Sequence, residues 1–202
     1  MENFRIIPVG ALAVNCYLVY EEASKLLLIA DPGGDADLII SAARNYPFER
    51  CMIVLTHAHV DHIGAVPEVK AALNAESVYL NEGDKELYCS RDNHILPYLP
   101  PVENLPATTP IWDLPGVKLL TTPGHSPGGS CFYFPERKLV LSGDTLFAGS
   151  VGRTDLPGGS FSVLEKSIRK ELLTLPEDTL VYPGHGPRTT IGAEKQSNPY
   201  LT

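Results

Sequence analysis

Three short runs open the chain, residues 4–9, 14–20 and 26–30, each mostly aliphatic or aromatic and each ended by a polar or glycine-containing break. They predict antiparallel strands joined by turns, the first turn near Gly10. Asp31-Pro32-Gly33-Gly34-Asp35 stops the third run, and Asp35 or Asp37 can then cap a helix. Leu38, Ile39, Ala42 and Ala43 share one face of that helix. Residues 51–55 are continuously apolar, as in a strand covered on both faces. A helix over 65–75, a strand over 78–80 and a short helix over 82–89 follow. Residues 90–113 are rich in proline and lack a period, so they read as a long and functional loop. Strands are predicted over 117–121, 130–134 and 138–142. A helix over 161–175 carries Val163, Leu164, Ile168, Leu172 and Leu173 at helical spacing, with Pro176 just beyond. A last strand over 179–182 and a last helix over 189–197 complete the order. Strands, helix, strand, helix occur twice, which predicts an α/β chain of two similar halves, packed sheet to sheet with helices outside.

The chain has 202 residues, a length that favours one domain spanning 1–202. Lys and Arg total 16 against 24 Asp and Glu, a formal charge of −8, so a basic nucleic-acid footprint is not expected. No apolar run is long enough for a membrane span. The N-terminal apolar stretch is interrupted by Pro8, Gly10 and Asn15 and reads as a strand pair rather than a leader, so a cytoplasmic protein is expected. Cys16, Cys51, Cys89 and Cys131 form no C-x-x-C pair. They read as buried small hydrophobes in a reducing compartment.

The chemistry lies in the histidines. Of six, His57, His59 and His62 fall in THAHVDHIG directly after the 51–55 strand, together with Asp61. His57 and His59 are two apart, so an extended strand exit projects them to one side. His125 stands in TPGHS and His185 in YPGHG, each just after a strand, and Asp144 stands in LSGDT in the same position. A glycine precedes each of these three and lets the chain turn sharply. Imidazole with carboxylate suits Zn, Fe or Mn better than Ca or Mg. Seven candidate ligands exceed the four of a structural zinc and suit two metals sharing a bridging carboxylate. His94, in the proline-rich loop, lacks that context and reads as a pocket or surface residue.

These motifs, at these intervals, resemble the metallo-β-lactamase superfamily over almost the whole chain. The resemblance implies an αββα four-layer sandwich. It implies a first metal held by His57, His59 and His125 and a second by Asp61, His62 and His185, with Asp144 bridging. Asp31 matches the family's early aspartate, which supports the site without binding metal. The stretches FAGSVGRTDLPGGS and TLVYPGHGPRTTIGAEKQSNPYL resemble the short form of the hydroxyacylglutathione hydrolase group, often called type II glyoxalase-like. Asp144 occupies the place where β-lactamases of this fold commonly carry Cys. The longer glyoxalase II enzymes have a C-terminal extension that this chain largely lacks. Where they carry Lys and Tyr in the glycine loop, Arg153 and Asp155 stand here, and Arg153 keeps a cation for a substrate carboxylate.

The function so implied is a dinuclear metal hydrolase, with zinc favoured over iron or manganese. It would cleave a thioester such as an S-2-hydroxyacyl-thiol with a metal-bridging hydroxide oriented by Asp61. The alternatives are a mono-iron persulfide dioxygenase using His57, His125 and Asp144, and a lactonase or small-ester hydrolase on the same metals. The expected partner is a small-molecule thioester, with no nucleic acid and no membrane. The oligomeric state has no signal in the sequence.

Overall fold

The computed structural model of the protein describes residues 3–90, 93, 99–110 and 112–202. His94 lies outside the described residues. The chain forms two compact units, one of residues 1–80 and 85–111, the other of residues 81–84 and 112–202.

The first unit is built on a five-stranded sheet in the order β1 (Phe4–Val9), β2 (Val14–Glu21), β3 (Leu26–Ala30), β4 (Arg50–Val54) and β5 (Ser77–Tyr79). The first three strands run antiparallel, and β3–β4 and β4–β5 pair in parallel. Parallel neighbours need crossovers, and α1 (Ala36–Ala43) and α3 (Val66–Leu73) supply them. All five residues of β3 are buried. Its Leu27 and Ile29 pack with Ile39, Ala43, Ile53 and Val69 in one core, while Leu26, Leu28 and Ala30 alternate to the opposite face. Burying each such aliphatic side chain is worth roughly 1.5–3 kcal/mol, so the core fixes which way every strand faces.

Two expectations for α1 need correction. Leu38 does not join the apolar face and is 48% exposed. Asp35 stands at the helix start but in the left-handed region (φ 48°), and its side chain caps nothing there. Its carboxylate instead accepts the Gly10 N–H at 2.8 Å, tying the β1–β2 turn to the start of α1. The proline-rich loop adds an edge to the sheet, since Thr109 N–H donates to the Val78 carbonyl and Leu80 N–H to that of Thr109.

In the second unit the sheet order is β12 (Thr189–Thr190), β11 (Leu180–Pro183), β8 (Leu139–Gly143), β7 (Ser130–Phe134) and β6 (Lys118–Thr121). β8 and β11 are parallel. Their crossover contains a small hairpin, β9 (Leu146–Phe147) with β10 (Ser150–Val151), and then α5 (Phe161–Ser167). The helix expected over 161–175 changes pitch: Ile168–Leu172 is a π-helical turn, with Leu173 N–H reaching the Ile168 carbonyl at 2.9 Å. Leu164, Ile168 and Leu172 are fully buried, whereas Val163 is 41% exposed. α6 (Ile191–Ser197) is capped by Thr190, whose Oγ accepts the Ala193 N–H. Cys16, Cys51 and Cys131 are buried, but Cys89, near the end of α4 (Lys85–Cys89), is exposed. Its α4 neighbour Tyr88 turns inward instead, and the Cys89 thiol is left on the outer side. No helix of the described residues is long and apolar enough to cross a membrane.

Candidate functional site

In the first unit β4 runs out at Val54, and Thr56–His59 follow before the single turn α2 (Val60–Ile63). His57, His59, Asp61 and His62 are all buried. The His57 ring lies 4.8 Å from that of His59 and 4.1 Å from that of His62, centroid to centroid. Beneath them Asp31 has three donors. Its Oδ1 accepts the Thr56 N–H at 2.8 Å, and its Oδ2 accepts the Thr56 hydroxyl at 2.7 Å and His62 Nδ1–H at 3.0 Å. The Thr56 hydroxyl proton points at Asp31, so its oxygen accepts from His57 Nδ1–H, 3.0 Å away. A carboxylate only accepts. His57 and His62 are therefore both Nδ1–H tautomers with the lone pair on Nε2, the form a metal needs.

In the second unit His125 lies in the loop after β6. Gly124 has φ +130°, and a Cβ there would come 2.3 Å from the Leu164 nitrogen. Buried Asp84 anchors the loop from outside it, accepting the Ser126 hydroxyl at 2.8 Å and the Gly128 N–H at 2.5 Å. His125 Nδ1–H donates to the Arg153 carbonyl at 2.8 Å, which leaves the His125 lone pair on Nε2 as well. Asp144 follows β8, and His185 follows β11. His125 Nε2 and His185 Nε2 each lie 3.7 Å from the same oxygen, Asp144 Oδ2.

That separation is too long for a hydrogen bond. Two donors about 2.1 Å from one ion at a tetrahedral angle stand about 3.4 Å apart, close to what these pairs show. His62 Nε2 and Asp61 Oδ2 in the first unit are 3.8 Å apart, a similar span. Imidazole nitrogens with tautomers fixed for Nε2, set beside carboxylates, fit a divalent transition metal and not calcium or magnesium. The residues able to hold one are His57, His59, Asp61 and His62 in the first unit and His125, Asp144 and His185 in the second.

Arg153 makes a bidentate ion pair with Asp155, with contacts of 2.8 and 2.7 Å. The guanidinium is the main reason the Asp155 carboxyl is held down to about 2. Sequence reasoning missed three contributors. Thr56 carried a signal, since it immediately precedes His57. Asp84 carried none, since it lies 42 positions from the serine it holds. The backbone of Arg153 acts through a carbonyl, which no side-chain motif reveals.

A model of the metallo-beta-lactamase superfamily matches residues 9–185. The hydroxyacylglutathione hydrolase GloC of Haemophilus influenzae is 38% identical over 210 residues, covering 98% of this chain and 98% of its own. The crystal structure of TTHA1623 in a di-iron-bound form matches with a TM-score of 0.85 at 38% identity, over 98% of this chain and all of that one (100%). That of BLEG-1 B3 metallo-beta-lactamase matches with a TM-score of 0.80 at 36% identity, over 98% and 99% of the two chains. The chain belongs to the metallo-β-lactamase superfamily. It has that superfamily's fold, with a mixed sheet in each unit, and it is a metallo-hydrolase of that class.

Proposed function

We propose that the protein is a dinuclear metal-dependent hydrolase of small-molecule thioesters. The observation that carries the reading is the placement of His125 Nε2 and His185 Nε2 at equal 3.7 Å distances from one oxygen of Asp144, as suits a carboxylate shared by two ions. His57, His59 and His125 are assigned to the first ion and Asp61, His62 and His185 to the second, with Asp144 common to both. The di-iron-bound form of the similar protein TTHA1623 supports a metal pair, and the similarity to the hydroxyacylglutathione hydrolase GloC supports a thioester. Zinc, iron and manganese all suit the donor set.

When bound, such ions lower the pKa of water towards 7 and polarise a carbonyl oxygen. The chain's own contribution is orientation. Asp31 and Thr56 lock the rings of His57 and His62, and the Arg153 carbonyl locks His125. Asp61 has a carboxylate to hold the proton of the attacking water. Hydrolysis forms a carbon–oxygen bond to water and breaks the carbon–sulfur bond. The leaving thiol has a pKa near 8.5 and departs without a dedicated acid. The exposed Arg153 guanidinium can exchange Asp155 for a substrate carboxylate.

The test is metal analysis of wild type and His185→Ala, with thioesterase and oxygen-uptake assays on both. Two ions per chain are expected in wild type, falling towards one in the variant, with kcat for S-lactoylglutathione lower by several orders of magnitude. One iron per wild-type chain, with persulfide-dependent oxygen uptake that survives the substitution, would overturn the reading. So would nitrocefin hydrolysis faster than that of every thioester tried.

A further inference from the structure

The first unit contains a cavity of about 320 Å³. One side is the β1–β2 turn, with Leu12 at its tip. The end of the proline-rich loop also lines the cavity, with Leu99, Pro101 and Val102. The remaining wall includes Val60 and Asp61 at the start of α2. Among the described residues Asp61 is the only charged one in the lining, and the others are apolar or glycine. The glycines are there because main chains meet. A Cβ on Gly34 would lie 2.8 Å from the Gly10 Cα, and one on Gly33 would lie 1.7 Å from the Asp61 carbonyl oxygen. No larger side chain can fill the space from that side, so the hollow is a fixed feature of the backbone.

We propose that this cavity receives the acyl chain of the substrate. The preferred thioesters are then those of straight apolar acids of about four to eight carbons, the size such a volume takes. The inference rests on the thioesterase reading, in which Asp61 is both a metal ligand and part of the cavity wall. An acyl chain fits this lining better than a thiol carrier. Common carriers bear carboxylate, phosphate or amide groups, and the described residues of the wall offer them no cation and no neutral polar side chain.

The experiment has two arms. In the first, kcat/KM is measured for acetyl, butyryl, hexanoyl and octanoyl thioesters of N-acetylcysteamine. A rise of about fourfold per methylene up to hexanoyl is expected. Leu12→Trp and Val102→Phe each enlarge a side chain of the lining, and each should reduce the hexanoyl-to-acetyl ratio at least tenfold. A flat chain-length profile, or a slope that survives both substitutions, overturns the proposal. So does a profile that follows the apolar size of the thiol with acetyl held fixed. In the second arm, hexanoate and acetate are titrated calorimetrically into metal-loaded protein. Hexanoate should bind at least tenfold tighter, and Leu12→Trp should remove the difference. If no thioester is turned over while this binding pattern holds, the thioesterase reading fails and the cavity assignment stands. Equal binding of the two acids sinks the cavity assignment whatever the activity.

Discussion

The Thr56 hydroxyl stands between Asp31 and His57, giving its proton to Asp31 Oδ2 at 2.7 Å and receiving the His57 Nδ1 proton at 3.0 Å. One small side chain thus fixes the tautomer of the first histidine in the motif and supports the carboxylate that orients His62. Thr56→Val keeps the shape and removes both hydrogen bonds. Metal affinity, measured by competition with a chelator, should fall by about 10- to 100-fold. Apo-protein stability should fall by about 1–3 kcal/mol, because buried partners lose their bonds. Thr56→Ser should restore most of both. Unchanged affinity in Thr56→Val would show that the ring orientation is set elsewhere.

Arg153 has separable parts. Its carbonyl holds His125, and its side chain pairs with Asp155 in solvent. Arg153→Ala keeps the carbonyl, so metal content should stay at the wild-type value. If the guanidinium contacts substrate, KM should rise for thioesters bearing a carboxylate by about tenfold or more, and little for neutral ones. Equal effects on both substrate types would leave the ion pair with Asp155 as the whole role of the side chain. Asp155 has its pKa lowered on folding, so the pair favours the folded state above the usual carboxylate range and loses that effect as pH falls towards 2. Both partners are exposed, so the acid limb of the stability curve should move only slightly in Asp155→Asn.

Much of the fold was legible because its strands are short, apolar and ended by glycine or proline. The run 26–30, for example, is β3 residue for residue. The histidine motif was legible because a strand exit followed by small residues is a local pattern. What failed was non-local. Leu38 and Val163 fit a helical period, but which face is covered depends on the sheet behind, and both point outward. Asp35 looked like a cap, yet its left-handed backbone turns the side chain to Gly10, 25 positions away. The π-helical turn at Ile168–Leu172 leaves no mark in a sequence whose apolar spacing still reads as helical. β9 and β10 are two residues each, too short for any alternation to show.

The thiols should divide sharply by reactivity. Burial pushes Cys16 well up, with the Asp31 carboxylate adding to it, and pushes Cys51 up to about 12. Native protein at pH 8 should release one equivalent of thionitrobenzoate from Ellman's reagent through Cys89, and four after denaturation. The raised pKa values also carry a sign for stability. Below the ordinary thiol pKa both states hold the proton and pH has no effect through these groups. As pH rises past about 9 the unfolded chain ionises first, and stability is lost progressively towards pH 12. Cys51→Ala should flatten part of that alkaline loss. A second fast-reacting thiol in the native protein would contradict the burial of Cys16, Cys51 or Cys131.

Gly33 offers a test that separates backbone placement from backbone strain. A Cβ at Gly33 would lie 1.7 Å from the Asp61 carbonyl oxygen and 3.4 Å from the His62 Cα. No rotamer relieves that overlap, because both parties are main chain. Gly33→Ala must therefore push the start of α2 away, carrying Asp61 and His62 with it. Gly116 is the control. It has φ +82° with nothing within 4 Å of a built Cβ, so alanine there meets strain without a clash. Gly116→Ala should cost about 1–2 kcal/mol, a few degrees in Tm for a chain of this size, with metal content intact. Gly33→Ala should instead lose metal, with bound ions falling from two towards one while the fold persists by circular dichroism. Full metal occupancy in Gly33→Ala would mean that α2 tolerates the shift, and that Asp61 and His62 are not held by this main-chain contact.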